Sequence, residues 1–349
     1  MICYNDVFNQ IISPENLFLA WDAFKGDKQK KQDVLRFEWN LEQHIFNLHR
    51  DLKNKTYKHG PYTGFYIQDP KQRHIHKASV RDRVLHHAVS SVINPIFEST
   101  FIPTSFSCRI GYGTHKGVKA LEKILRKIQK NGTNSCFILK CDIQKFFNTV
   151  DHAILLSILG KRIKDNNAIW LLKEIIESFS SSYSTPPKRK GLPIGNLTSQ
   201  LFANIYMNEF DQFIKHEMKV KYYVRYTDDF AIVSSSRQYL EKLIPCITYF
   251  LDYELELKLH PKKIVIRKLR QGIDFLGYII FPKHRLIRSK TKRRMFTKMR
   301  HRIEEYKFKK ISKLTLEQSL WSYLGVLSHA TAHALSDELK NQFWFWLSE

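Results

Sequence analysis

The fold is decided by the stretch Tyr222-Tyr-Val-Arg-Tyr-Thr-Asp-Asp-Phe-Ala-Ile-Val-Ser234. Residues 222–226 and 230–234 are rich in β-branched and aromatic side chains, and the segment between them carries Asp228 and Asp229. This pattern predicts a β-hairpin with two acids at its turn. Because both arms are apolar, we expect the turn to rise from a buried sheet, where adjacent carboxylates repel each other and require a nearby cation. A solvated turn, in which aspartate is common, is the alternative.

A second apolar run also ends in an acid. The segment Cys136-Phe-Ile-Leu-Lys-Cys-Asp142 is typical of a buried strand that carries a carboxylate at its tip. Together with Asp228 and Asp229, Asp142 would form a set of three carboxylates on neighbouring strand ends, which suits Mg²⁺. Two such ions, roughly 4 Å apart, would activate a 3′-hydroxyl and stabilise a departing pyrophosphate.

The charge balance points to a polyanionic partner. Lys and Arg total 57 against 33 Asp and Glu, a formal net charge of +24. Nucleic acid is the commonest partner for such an excess. The 43% of hydrophobic residues indicate a globular protein. A globular protein that is merely basic, without a polyanionic partner, is therefore the alternative.

The cysteines and the apolar runs exclude several classes of protein. No two of the five cysteines form a C-x-x-C pair, so no zinc site is predicted. The N-terminus carries no secretory signal, and we therefore expect a reducing cytoplasm. No apolar stretch approaches the roughly 20 residues of a membrane helix, so no membrane partner is expected.

The remaining periodicity predicts helices mixed with short strands, an α+β fold. A hairpin is expected over residues 57–75, and the chain after residue 288 is helical and basic. Further strands are expected near 263–267 and 274–281, and helices over 14–53 (two, separated by a charged turn at 26–32), 80–93, 114–130, 151–161, 166–179, 197–218 and 237–252.

These motifs together resemble the reverse transcriptases. The palm motifs of that family are similar to Cys141-Asp-Ile-Gln-Lys-Phe-Phe147 and to the turn at 226–229. Four further segments match in the family's order: 66–84, with Val80-Arg-Asp-Arg83; Ser105-Phe-Ser-Cys-Arg-Ile-Gly-Tyr-Gly-Thr-His115; Leu259-His-Pro-Lys-Lys263; and Phe275-Leu-Gly-Tyr278. The resemblance implies a right-hand polymerase fold, with an N-terminal helical extension (1–56), fingers (57–135), a palm with an antiparallel sheet (136–281, including fingers-proximal helices at 151–192) and a helical thumb (282–349).

The same resemblance implies roles for individual residues. Asp142 and Asp228 would bind both Mg²⁺ ions, for which Mn²⁺ could substitute, with Asp229 assisting and the Ile143 carbonyl as a further ligand. Lys263 matches a lysine thought to protonate pyrophosphate, although a solvated charge is equally consistent with the sequence.

The residues expected around the incoming dNTP follow from the same motifs. Lys71 and Arg73 match residues that hold its triphosphate, a task suited to charge-assisted hydrogen bonds; a solvated basic hairpin is the alternative. Phe147, or less favourably Phe146, matches the steric gate that excludes a 2′-hydroxyl; core packing is the alternative.

The segment Gly191-Leu-Pro-Ile-Gly-Asn-Leu-Thr-Ser-Gln200 indicates a subtype. Ile194, Gly195 and Gln200 would line the dNTP pocket, and the Ile-Gly-x-x-x-Ser-Gln pattern resembles diversity-generating retroelements, as does the segment 321–330. Isoleucine cannot make the hydrogen bonds of the usual glutamine, so a less selective pocket is expected; a neutral apolar lining is the alternative. The reverse transcriptases of diversity-generating retroelements insert wrong nucleotides opposite template adenines. They work with a structured template RNA and a small basic accessory protein. Bacterial, archaeal or phage origin is implied.

Binding of template RNA and of the RNA–DNA hybrid is assigned to the fingers, the primer grip and the thumb. The basic segment 287–294 would grip duplex phosphates, with strong salt dependence; a solvated basic helix face is the alternative. The residues assigned to this role are Arg109, Phe275, Leu276, Gly277, Arg288, Lys290, Lys292, Arg293 and Arg294.

Two other functions remain open from the sequence. One is a domesticated or defence-type bacterial reverse transcriptase. The other is a non-catalytic, maturase-like RNA-binding protein, against which the three acids argue.

Overall fold

The computed structural model describes residues 2–68, 71–130 and 133–349. The α+β architecture expected from the sequence is confirmed. Its helices are α1 (Phe8–Ile12), α2 (Pro14–Lys25), α3 (Gln32–Trp39), α4 (Leu41–Lys53), α5 (Val80–Glu98), α6 (Thr114–Gln129), α7 (Phe146–Thr149), α8 (His152–Arg162), α9 (Asn166–Glu177), α10 (Leu197–Gln212), α11 (Arg237–Tyr253), α12 (Ser289–Lys307), α13 (Lys313–Leu327) and α14 (His333–Ser348). Its strands are β1 (Thr63–Ile67), β2 (Arg73–Lys77), β3 (Phe137–Asp142), β4 (Tyr223–Tyr226), β5 (Asp229–Ser234), β6 (Val265–Lys268), β7 (Ile273–Phe275), β8 (Tyr278–Ile280) and β9 (Arg285–Ile287).

A four-stranded antiparallel sheet, in the order β4-β5-β3-β6, forms the centre of the molecule. Because side chains alternate along a strand, its two faces enter different cores. Leu139 and Phe230 pack with α10 and α11 on one face, where Phe210 and Phe230 lie 5.0 Å apart. Ile138 and Ala231 pack with α6 and the β7–β8 hairpin on the other face.

The N-terminal helices differ from the prediction in two respects, and the first is that α1 was not predicted. The segment 14–53 contains three helices instead of two. Asn40 has φ −124° and ψ 45°, outside the helical region, so α3 ends there and α4 begins. Helices α1 and α2 pack on α5, whose first turn is capped by the Ser79 side chain.

The region expected as one strand at 274–281 is a tight hairpin, β7–β8. Its turn consists of Leu276 and Gly277, which both have positive φ (49° and 91°). Strand β9, which was not predicted, pairs with β8 and completes a three-stranded sheet.

The last three helices have a core of their own. It is built from the buried residues Met295, Met299, Leu316, Leu339 and Phe343, among others. Among the hydrophobic side chains that the structure describes, Ile287 and Ala330, both half-buried, are the two that pack against this core and also against the sheet core of Ile138 and Ala231. No helix in the described parts of the chain is long and apolar enough to cross a membrane.

Candidate active site

Three carboxylates meet at one end of the central sheet. Asp142 is the last residue of β3 and lies directly opposite Asp229, the first residue of β5. The Ile143 amide donates to the carbonyl of Asp228 at 3.3 Å, which ties the end of β3 to the turn. The structure thus brings together the acids that the sequence predicted for this site.

Two lysines stand beside these acids as counter-charges. Lys263 Nζ lies 2.8 Å from Asp142 Oδ1, and Lys140 Nζ lies 3.3 Å from Asp229 Oδ2. Lys140 also donates to the carbonyl of Asp274 at 2.8 Å, so it connects the sheet to β7. Lys140 was not predicted as a site residue, although a charged residue within the apolar run 136–142 was a signal for it.

The negative charge of the site is only partly offset. Burial raises the pKa of Asp229 to about 6, with Lys140 opposing the shift and the charges of Asp142 and Asp228 adding to it. Burial and the charge of Asp142 also raise the pKa of Asp228, against the opposing charges of Lys263 and Arg73. Additional positive charge would therefore stabilise the ionised site.

The donor set fits a hard divalent cation. Asp229 Oδ1 is buried and has no hydrogen-bond partner in the described structure, and the other candidate ligands are also oxygens. Ile143, the predicted carbonyl ligand, is buried directly after Asp142. Within residues 2–68, 71–130 and 133–349, no three His, Cys, Asp or Glu side chains already form a metal cage. The site therefore has suitable ligands for a metal ion, but in this structure Asp142 and Asp229 form ion pairs with Lys263 and Lys140.

A buried ion pair beneath the turn was missed by sequence reasoning. Arg225 of β4 and Asp211 of α10 are both fully buried, and Arg225 Nη2 lies 2.6 Å from Asp211 Oδ2. Arg225 also donates to the carbonyl of Thr227, inside the turn, at 3.0 Å. The signal was an arginine within an otherwise apolar strand.

The predicted triphosphate ligands lie on the fingers hairpin. Lys71 and Arg73 are both exposed; Arg73 is the first residue of β2, and Lys71 lies two residues before it. Arg73 is near enough to the carboxylates for its charge to lower the pKa of Asp228.

The glycine-rich segment of residues 191–200 docks against β2. The His76 amide donates to the carbonyl of Ile194 at 3.0 Å. Gly195 has φ +110°, and a Cβ there would lie 2.7 Å from Ile75 Cγ2. Ile194 is half-buried and Gln200 is exposed. These contacts place Ile194 and Gly195 beside the hairpin that carries Arg73.

The two candidate gate residues differ in burial. Phe146 is 2% exposed and lies in the core, whereas Phe147 is half-buried, with its carbonyl accepting from the Leu192 amide. Of the two rings, only Phe147 retains surface that a ligand could contact.

The predicted primer-grip residues take two different positions. Phe275 is fully buried in the sheet core, whereas Leu276 and Gly277 form the half-buried turn of β7–β8. Arg288, which follows β9, is paired with Asp274 of β7.

The predicted thumb contacts lie on the first two turns of α12. Lys290 and Arg293 are exposed there, and Arg294 is half-buried. Lys292 lies 2.9 Å from a carboxylate oxygen of Glu338.

Arg109, predicted to contact nucleic acid, is engaged internally. Its side chain is 4% exposed and pairs with Glu98 at 2.8 Å. It also donates to the carbonyls of Ile102 and Ser105 and stacks on Tyr112, with Cζ 3.9 Å from the ring centroid. In this structure the guanidinium holds the segment 102–112 together, and its contact with nucleic acid stays a prediction.

The fold and the site define a class of protein. A four-stranded antiparallel sheet with acids on neighbouring strand ends, a β-hairpin before it and a helical module after it form the palm, fingers and thumb of a right-hand polymerase. The chain belongs to the reverse transcriptase (RNA-dependent DNA polymerase) family, whose profile matches residues 58–280.

Relatives of known sequence agree with this family. Protein YkfC of Escherichia coli K12 is 26% identical over 281 residues, covering 70% of this chain and 71% of YkfC. The group II intron-encoded protein LtrA of Lactococcus lactis is 22% identical, covering 79% of this chain but only 57% of LtrA. Among solved structures, a telomerase from Candida albicans with a fragment of telomeric RNA superposes with a TM-score of 0.47 at 12% identity, over 71% of this chain and 51% of that one.

Proposed function

We propose that this reverse transcriptase copies an RNA template into DNA by two-metal nucleotidyl transfer at Asp142, Asp228 and Asp229. The observation that carries the proposal is the placement of the three acids at one sheet end, with Asp142 directly opposite Asp229. Bound Mg²⁺ would supply activation of the primer 3′-hydroxyl and charge stabilisation at the phosphorus.

The residues of the chain itself prepare the site for this chemistry. Asp142 and Asp228 would be the shared ligands and Asp229 would assist, since its Oδ1 has no hydrogen-bond partner in the described structure. In the metal-free chain, Lys263 and Lys140 hold two of these carboxylates. If Asp142 bound a cation instead, Lys263 would be available to donate a proton to pyrophosphate.

An Asp228→Asn variant tests the proposal. Extension of a DNA primer on an RNA template should be lost, because the neutral amide cannot offset the charge of the ions, while affinity for the RNA–DNA duplex is kept. As a matched control, Asp252→Asn changes an exposed aspartate on α11 and should extend normally. Normal extension by Asp228→Asn would refute the proposal, and a wild-type chain that binds RNA without extending would favour a maturase-like role. That second role has support from the relatives, which include nuclear intron maturase 4 of Arabidopsis thaliana, 24% identical over 219 residues.

Selection of dNTPs over ribonucleotides is assigned to Phe147. Its half-buried ring beside the core residue Phe146 is the surface against which a 2′-hydroxyl would clash. We expect Phe147→Ala to incorporate ribonucleotides with little change in dNTP incorporation. If Phe147→Ala still rejects ribonucleotides, the gate lies elsewhere.

We further propose that synthesis is error-prone opposite adenine and belongs to a diversity-generating retroelement. Ile194 supports this proposal, because its carbonyl accepts from the His76 amide of the fingers hairpin and its apolar side chain cannot hydrogen-bond a base pair. Ile194→Gln should lower the error frequency opposite template adenines in sequenced cDNA. Leu197→Gln, the same type of change at an exposed position, is the control. Unchanged errors with Ile194→Gln would remove that residue from the explanation.

The retroelement assignment also implies partners, a structured template RNA and a small basic accessory protein. The DNA that flanks the gene tests this implication directly. A near-duplicate repeat pair that differs at adenines, beside a gene for a small basic protein, is the expected finding. Flanking DNA without such a repeat would favour a domesticated or defence-type enzyme.

A further inference from the structure

The turn that carries Asp228 has an unfavourable backbone. Tyr226 pairs with Asp229, which leaves Thr227 and Asp228 as a two-residue turn. Thr227 has φ +55°, a left-handed conformation that β-branched residues rarely adopt. Such strain persists only where surrounding contacts enforce it. Because Asp228 is the next residue, the conformation of Thr227 sets the direction of the carboxylate.

One enforcing contact comes from the buried pair beneath the turn. Arg225 Nη1 donates to the carbonyl of Thr227 at 3.0 Å. Arg225 is itself fixed by Asp211, to which Nε and Nη2 donate at 2.7 and 2.6 Å. Asp211 also accepts from the Tyr223 hydroxyl at 2.7 Å. The Arg225 guanidinium therefore has little freedom to follow a change in the turn.

A second contact comes from the segment of residues 104–107, which lies alongside β4. The Arg225 amide donates to the carbonyl of Thr104 at 2.9 Å, and the Phe106 amide donates back to the carbonyl of Arg225 at 3.0 Å. From this segment Ser105 Oγ accepts from Arg225 Nη2 at 2.9 Å. Thr227 Oγ1 donates to Ser107 Oγ at 2.6 Å.

Ser107 is itself held in place. It is 2% exposed, and its carbonyl accepts from Asn204 Nδ2 of α10 at 2.7 Å. The Thr227 hydroxyl is therefore hydrogen-bonded to a buried and well-anchored side chain, with which water cannot easily compete.

We propose that Thr227 and Ser107 are positioning residues, whose hydroxyl–hydroxyl bond, together with Arg225, holds Asp228 in the orientation needed to share a divalent cation with Asp142. The inference rests on the proposed metal-binding role of Asp228. A carboxylate held in advance loses less freedom when it binds an ion, so its affinity is higher. Alanine or valine at position 227 would supply no such hydroxyl.

The test compares Thr227→Val, Thr227→Ser, Ser107→Ala and the double variant Thr227→Val/Ser107→Ala. Valine keeps the shape and the β-branching of threonine and replaces the hydroxyl by a methyl group, whereas serine keeps the hydroxyl. The first readout is Mn²⁺ affinity, measured by electron paramagnetic resonance of the free ion, and it does not depend on activity. The second readout is kcat and KM for primer extension, with thermal melting to show that each variant folds.

Thr227→Val and Ser107→Ala should each raise the Kd for Mn²⁺ by about two- to tenfold, the range expected for one neutral hydrogen bond. The kcat should fall by a similar factor while KM for dNTP stays the same. The double variant should be no worse than either single one, because both remove the same bond. Thr227→Ser should bind Mn²⁺ as the wild type does.

Wild-type Mn²⁺ affinity in both Thr227→Val and Ser107→Ala would overturn the inference, as would fully additive effects in the double variant. Failure of Thr227→Ser to restore affinity would also overturn it. If the wild-type chain binds Mn²⁺ but never extends a primer, the proposed function fails, while the Mn²⁺ comparison still decides the positioning role. A wild-type chain that takes up no Mn²⁺ overturns both.

Discussion

The Asp229→Asn substitution should stabilise the central sheet of the metal-free protein at neutral pH. Asp229 is charged in a site where its side chain is only 21% exposed, with Lys140 as its ion-pair partner. Burial raises its pKa from 3.8 to about 6. Asparagine has nearly the same shape and corresponds to the protonated acid, so it avoids the cost of the buried charge.

The expected gain in the free energy of unfolding follows from this rise of about 2 in the pKa, because a rise of 1 corresponds to about 1.4 kcal/mol. Between pH 4 and 6 the folded sheet retains a proton that the unfolded chain has lost, so stability of the wild type falls as pH rises. The advantage of Asp229→Asn should therefore be about 0.6 kcal/mol at pH 4 and about 3 kcal/mol at pH 8.

Hydrogen–deuterium exchange of peptides from β3 and β5, in EDTA and across this pH range, measures the opening free energy of the sheet. Asp337→Asn, at a side chain that is 70% exposed, is the control and should change stability by less than about 0.5 kcal/mol. Added Mg²⁺ should stabilise the wild type more than Asp229→Asn, which reduces the difference. A variant that is less stable at pH 8, or a difference independent of pH, would refute the reasoning that burial of charge dominates here.

Three further outcomes are expected. Arg225→Met should lower the free energy of unfolding by about 3–5 kcal/mol, because it leaves Asp211 charged and buried without its partner, and Arg225→Met/Asp211→Leu should recover much of the loss in urea titrations. Gly195→Ala should cost about 1–3 kcal/mol and raise KM for dNTP, because φ is +110° there and the new methyl would meet β2; an unchanged KM would separate this segment from nucleotide binding. Removing both Lys290 and Arg293 should reduce the salt dependence of duplex binding by about two units of log–log slope, and an unchanged slope would place the duplex elsewhere.

Much of the central sheet could be predicted because its signals are local. The apolar run 136–142 and the two arms around Asp228 each encode a strand within a few residues, and each places its acid at an end. Pairing of β3 with β5 then follows from burying both apolar runs together. The position of Asp142 opposite Asp229 thus depends on patterns that a single sequence contains.

The rest of the site depends on contacts between distant segments. Arg225 meets Asp211 and the residues near Ser107 only after α10, β4 and the segment 104–107 have come together, and no spacing rule predicts that meeting. The same is true of Arg109, which the resemblance assigned to nucleic acid and which the fold surrounds with carbonyl oxygens.

Two local backbone conformations could not be predicted from the sequence either. Leu276 adopts a positive φ in the β7–β8 turn although glycine is favoured there, and Asn40 ends a helix that the hydrophobic periodicity alone would continue.

The separate core of α12–α14 has a consequence for how a template–primer would be handled. Among the described hydrophobic side chains, Ile287 and Ala330 are the two that pack against both this core and the one beneath the sheet. The last three helices would therefore open as a cooperative unit at lower free energy than the whole chain. Helices α12–α14 could then release and rebind a nucleic-acid duplex while the ends of the central strands, which carry the three acids, keep their geometry. Residence time on the duplex and turnover at the primer end would in that case be adjustable by mutations in different parts of the chain.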